Sequence, residues 1–106
     1  MTTETRKSSE DIRFLADLDQ LIRQRISQQS PGSYVASLVS AGDKRLAQKV
    51  GEEAVELAIA VTAGDRAEQT EEAADLLFHL LVLLNAKGIP LADIASVLKQ
   101  RHRSRQ

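Results

Sequence analysis

Apolar residues recur along this chain at three- and four-residue intervals, and that spacing predicts an all-α protein. Ser9, as an N-cap with Glu10 and Asp11 in the first turn, opens a helix that runs to about Ser27. Phe14, Leu15, Leu18, Leu21, Ile22 and Ile26 line its inner face, leaving Arg13, Asp17, Arg23 and Arg25 outward. Ser30-Pro31-Gly32 ends it, and Ser33 caps a short helix that breaks at Ala41-Gly42. Asp43 then caps a longer helix with an apolar stripe of Leu46, Val50, Ala54, Leu57 and Val61. Gly64 is expected to close it in the left-handed conformation, and Asp65 with Glu68 forms a capping box for the next helix. Gly88 and Pro90 precede a last helix with Leu91, Ile94, Ala95 and Leu98 inward. Residues 1–8 are polar and expected to be disordered, 9–101 to form one domain, and 102–106 to be a frayed tail.

From Ala73 to Leu84 the fourth of these helices is apolar nearly all round. A helix without a polar face has to be covered on every side, and a chain of 106 residues is too small to do that alone. The expected architecture is therefore a bundle of about four to five helices completed by homodimerisation, with this helix near the two-fold axis.

Composition narrows the partners. A net charge of -1 gives no general attraction to nucleic acid or to an acidic membrane. Arg101, Arg103 and Arg105, without interleaved aromatics, read as a solvated tail. There is no cysteine, which rules out a thiolate zinc site or a disulfide framework and fits an intracellular protein. The N-terminal stretch lacks the apolar run of a signal peptide, and the apolar segment is short and interrupted by Asp75 and His79. A cytoplasmic location without membrane insertion is expected.

The chemistry lies between Lys49 and His79. At helical spacing Glu52, Glu53 and Glu56 share one face with Lys49; on the next helix Glu72, Asp75 and His79 share another. Counted from the Gly64-Asp65 turn, the pairs Glu53/Glu56 and Glu72/Asp75 both lie about ten residues away, roughly 14 Å up each helix. The two pairs are level, so their side chains can converge between axes about 8 to 10 Å apart. Four carboxylates crowded together need a counter-charge, and oxygen ligands alone suit Mg2+, with Mn2+ as a substitute, rather than zinc. His79 reads first as a hydrogen-bonded core histidine able to orient Asp75; Lys49 reads either as an i,i+4 partner of Glu53 or as a phosphate ligand.

Glu52-Glu53-x-x-Glu56 followed by Glu72-x-x-Asp75 resembles the motif of the all-α nucleoside triphosphate pyrophosphohydrolase superfamily. Ser33-Tyr34, QKVGEEAVELAIA, the Gly-Asp turn and EAADLLFHLLVLL are more specifically similar to phosphoribosyl-ATP pyrophosphohydrolase of histidine biosynthesis, over about Leu18 to Arg101. The resemblance implies hydrolysis of phosphoribosyl-ATP between the α and β phosphates, giving phosphoribosyl-AMP and pyrophosphate by attack of a Mg2+-activated water. It implies Glu53, Glu56, Glu72 and Asp75 as metal-binding catalytic acids, Glu52 as a further acid and candidate base, and Lys49, Ser33 and Tyr34 as substrate-side residues. Val35 stands where the family commonly has threonine, and Phe78 where tyrosine is frequent. The family is often fused to the cyclohydrolase of the next step, a cysteine-zinc enzyme, which this cysteine-free sequence does not include. Two alternatives use the same features: a house-cleaning hydrolase of ordinary or damaged nucleoside triphosphates, and a non-catalytic helical dimerisation module.

Overall fold

Helical periodicity governs the whole chain in the computed structural model, which describes residues 2–105. In order, α1 (Thr3–Gln28), α2 (Tyr34–Ser40), α3 (Asp43–Ala63), α4 (Arg66–Ala86) and α5 (Leu91–Ser104) follow one another, with no strand among the described residues. Pairing of Glu53 with His79 and of Glu56 with Glu72 across the Gly64-Asp65 turn makes α3 and α4 an antiparallel hairpin. Against it pack α1 and α2, and a small core of Ile22, Val35, Leu46, Leu81 and Val82 draws on all four helices. No single helix among the described residues is long and apolar enough to cross a membrane.

Several local expectations are corrected. The first helix begins at Thr3 rather than Ser9, with the Thr2 hydroxyl accepting from the Thr5 amide, so residues 3–8, expected to be disordered, are helical. No proline or glycine interrupts this polar segment, and its Glu, Arg and Lys residues are good helix formers. Met1, also expected to be disordered, and Gln106 of the expected tail lie outside the described residues. The rest of that tail, through Ser104, continues α5.

Phe14 and Leu21 stand exposed, while Leu18, Ile22 and Ile26 turn inward as expected. On α3 the inward line is Leu46, Glu53 and Ala60, at seven-residue spacing; Ala54 and Val61 of the expected stripe face out. Ala95 and Leu98 on α5 are likewise exposed.

Turn chemistry also differs in detail. Gly42, at φ 95, occupies the N-cap of α3, a conformation L side chains rarely adopt. Asp43 is instead the first helical residue and pairs with Lys87 at 2.7 Å. Gly64 is extended, at φ -103, and not left-handed. What requires glycine there is space: a Cβ would lie 2.9 Å from the Ala60 carbonyl oxygen. Asp65 caps α4 as expected, accepting from the Glu68 amide at 2.9 Å, and Ser33 caps α2.

Helix α5 has no cap of its own, because Pro90 holds the N-cap position without a side-chain acceptor. A residue on α1 supplies one. The buried Asp19 carboxylate accepts from the Leu91 amide at 3.1 Å, from Asn85 Nδ2 at 2.7 Å and from the Arg23 guanidinium, while Asn85 also donates to the Leu81 carbonyl. Each buried polar group in this knot is thereby satisfied, and α1, α4 and α5 are tied at one point. Asp19→Ala would strand the Asn85 and Leu91 donors. The expected loss is about 2 to 3 kcal/mol of unfolding free energy, measured by urea titration against the wild type.

Candidate metal centre

The first acidic residue of α3 to meet α4 is Glu53, and it is almost completely buried, at 5% exposure. An isolated carboxylate does not survive burial in charged form without partners. Two are present: Lys49 Nζ, one turn back on the same helix, lies 3.5 Å from Glu53 Oε1, and His79 Nδ1 on α4 lies 3.4 Å from the same oxygen. The i,i+4 reading of Lys49 is thus realised, with the ammonium one-third exposed.

Carboxylate oxygens of Glu53, Glu56 and Glu72 all lie within 4.8 Å of one another. The level register expected of the hairpin thus brings three of the four predicted metal ligands together. Asp75 is exposed on α4 and is not one of this trio, although its charge bears on Glu72. Glu52 turns away: Oε1 accepts from Gln48 Nε2 at 3.0 Å and faces Arg45 at 3.7 Å.

Glu72 carries the strongest electrostatic signature. Its Oε2 is shielded from water and meets no hydrogen-bond donor among the described residues. Desolvation first, then the neighbouring Glu56 carboxyl, and then the charges of Asp75 and Glu53 hold the Glu72 carboxyl above its ordinary value of 4.5. An orphaned oxygen among like charges is a place for a cation. Hard oxygen donors in this number fit Mg2+ or Mn2+. A cavity of about 230 Å³ opens beside the trio, lined by Glu56 and Glu72 together with Ile59, Gly64 and Glu68. Glu68 at its rim was read from sequence only as a cap; its i,i+4 spacing to Glu72 is the signal that it shares the acid stripe.

Of the substrate-side candidates, Lys49 stands beside Glu53, whereas Tyr34 sits on the far side of His79. Tyr34 Oη lies 2.9 Å from His79 Nε2, and its ring stacks on Phe78 at 6.1 Å with 12° between planes. Ser33 Oγ is committed to the Ala36 amide as the α2 cap. Both residues border a second cavity, of about 280 Å³, with Arg25, Val35 and Phe78 in its wall and none of the acids. Val35 is buried in the core, and Phe78 is held by aromatic contact, so neither position depends on a side-chain hydroxyl. The sequence reads His79 as a core histidine able to orient Asp75. It is a buried, hydrogen-bonded histidine, but the contact with Asp75 is to the main-chain carbonyl, at 2.8 Å, and its carboxylate neighbour is Glu53.

Five helices, with acids of an antiparallel pair converging on an unpartnered oxygen, define an all-α protein with a carboxylate site suited to a hard divalent cation. The profile of the phosphoribosyl-ATP pyrophosphohydrolase family matches residues 15–102, and the chain belongs to that family. It is 50% identical over 91 residues to a phosphoribosyl-ATP pyrophosphatase of Pyrobaculum arsenaticum, covering 86% of this chain and 97% of the relative. The corresponding protein of Pyrobaculum neutrophilum is 51% identical over 89 residues, covering 84% of this chain and 95% of the relative. The histidine biosynthesis bifunctional protein HisIE of Vibrio cholerae is 50% identical over 90 residues, 85% of this chain; the match spans only 43% of that longer protein.

Because the Glu72 carboxyl is raised, its contribution to stability is complete below about pH 4.5 and lost as pH rises through the raised value. Without metal, then, ionisation of Glu72 destabilises the fold at neutral pH, and a divalent cation that competes with the proton restores it. Thermal melts should show a Mg2+-induced increase in Tm that is large at pH 8 and vanishes near pH 4. Glu72→Gln should raise the metal-free Tm at pH 8 and abolish the increment.

Proposed function

We propose that this chain hydrolyses phosphoribosyl-ATP between its α and β phosphates, releasing phosphoribosyl-AMP and pyrophosphate in histidine biosynthesis. The observation that carries the reading is the convergence of Glu53, Glu56 and Glu72 on a point where one buried oxygen lacks a partner, in a chain of this family. The names of the two Pyrobaculum relatives supply the substrate.

Glu53, Glu56 and Glu72 are the residues to hold Mg2+, with Asp75 beside them and Mn2+ as a substitute. The bound cation supplies positive charge that offsets the triphosphate and the charge that develops as the anhydride bond breaks. Lys49, one-third exposed at the edge of the trio, adds a fixed positive charge for the phosphates. Glu56 and Glu72 face the cavity in which the reacting phosphates lie. Asp75, exposed and outside the trio, is the carboxylate we assign to take the proton of the attacking water. Glu52, tied to Gln48 and Arg45, shapes the field beside the site rather than entering it. Ser33 and Tyr34 border the substrate at the other cavity. A charged nucleotide does not cross membranes unaided, which puts the activity in the cytoplasm.

The working unit is a homodimer. The fully buried apolar core of one chain is small, while Val55, Ile59 and Val61 of α3 stand 58–59% exposed. Apolar surface on a helix of the site itself is what a second copy would cover. Most of the apolar residues of α4 are already half-buried within the chain, which shifts the interface from α4 towards α3. Val55→Asp combined with Ile59→Asp should convert the dimer to a monomer in sedimentation velocity, whereas a wild-type chain that sediments as a monomer contradicts the assembly.

Glu53→Ala and Asp75→Ala should each lower Mg2+-dependent pyrophosphate release from phosphoribosyl-ATP by on the order of 100-fold or more, with the helical circular dichroism retained. Full turnover by either variant removes that residue from the site. Faster hydrolysis of ordinary nucleoside triphosphates than of phosphoribosyl-ATP would instead assign the house-cleaning activity.

A further inference from the structure

His79 is a buried imidazole with a defined partner at each ring nitrogen. Nδ1 lies 2.8 Å from the Asp75 carbonyl oxygen, which can only accept, so the proton sits on Nδ1. Nε2 lies 2.9 Å from Tyr34 Oη, a hydroxyl that can donate to it or accept from it. The ring is also fixed in orientation, standing edge-on to Tyr34 at 6.0 Å and to Phe78 at 5.4 Å, with 85° between planes in both cases. Its Nδ1–H therefore points into the space shared by the Asp75 carbonyl and Glu53 Oε1, the second at 3.4 Å.

We propose that His79, keyed by the Tyr34 hydroxyl, is a positioning residue for Glu53, an inference that rests on the divalent-cation reading above. The Glu53 side chain has three rotatable bonds and is buried, with no water shell to orient its carboxylate. Lys49 addresses Oε1 from α3 and the His79 Nδ1–H addresses it from α4, so two positively polarised groups set the rotation of one carboxylate. Only the Nδ1–H tautomer does this; the alternative tautomer would turn a lone pair towards a negative oxygen. Tyr34 anchors the ring from its other side. A half-exposed tyrosine on α2 is in this way connected to an acid on α3 through a ring on α4. Hydrogen-bond partners of this kind, one step removed from a metal, commonly change its affinity by 10- to 100-fold.

Long-range 15N–1H correlation spectra of the metal-free protein, with His102→Gln to assign the second histidine, read the tautomer directly. Mn2+ titration followed by electron paramagnetic resonance reads the affinity. The wild type should show a proton on Nδ1 of His79. Tyr34→Phe, with the Asp75 carbonyl still in place, should keep that proton but leave one side of the ring unanchored and bind Mn2+ several-fold more weakly. His79→Leu should weaken binding about 10-fold or more, and His79→Asn, whose amide donates from nearly the Nδ1 position, should restore most of it. A wild-type ring with no proton on Nδ1 overturns the proposal, as does wild-type Mn2+ affinity in His79→Leu or Tyr34→Phe. Failure of the wild type itself to bind Mn2+ overturns the cation reading and this inference with it.

Discussion

Mutual repulsion among carboxylates pressed between two helices is the constraint around which this protein is arranged. Glu53 is buried, Glu56 and Glu72 lie close enough for the Glu56 carboxyl to raise that of Glu72, and Asp75 adds a further charge nearby. Left alone, such a cluster opposes the packing of α3 on α4. The hairpin forms nonetheless because the rest of the interface outweighs it. Leu46 on α3 meets Leu81 and Val82 on α4 in the core, Asp65 caps the start of α4, and Gly64 lets the chain turn tightly against Ala60. Packing holds the acids in place, and the acids define the electrostatic demand that a cation answers.

Two buried polar assemblies in the same fold make the contrast visible. Around Asp19, every donor and acceptor has a partner: Arg23, Asn85 and the Leu91 amide complete the carboxylate, and the result joins three helices. Around Glu72, one oxygen is sealed from water with no donor to meet it. A satisfied polar knot fixes a fold; an unsatisfied one holds unmet charge, and that is where a ligand gains most on binding. Both contain a buried carboxylate within a small helical bundle, and only the completeness of the partners separates structural from chemical use.

How far the sequence revealed this follows from what each feature depends on. Helix order, the Ser33 and Asp65 caps and the level register of the Glu53/Glu56 and Glu72/Asp75 pairs rest on local spacing and chain geometry, and these were legible, except that Asp75 stays outside the trio that Glu53, Glu56 and Glu72 form. Burial of Asp19 was not, because it depends on where the N-terminus of α5 comes to rest. Helix α3 was read with its apolar stripe inward and its acids beside it; in the fold Glu53 itself lies on the inward line, with Val55, Ile59 and Val61 left outside. That inversion becomes intelligible once a second chain is considered, since one helix can bury its acid side within the protomer and its apolar side against a partner. The aromatic and imidazole contacts of Tyr34, Phe78 and His79 join α2 to α4, and no spacing rule within either segment encodes them.

The account stands on acids from α3 and α4 sharing one cation. Crystals grown with Mn2+ and measured above and below the manganese absorption edge test it most directly. An anomalous peak between the carboxylates of Glu53, Glu56 and Glu72 is the predicted result. Ordered carboxylates with no anomalous density among them, at a Mn2+ concentration that supports turnover, would contradict it.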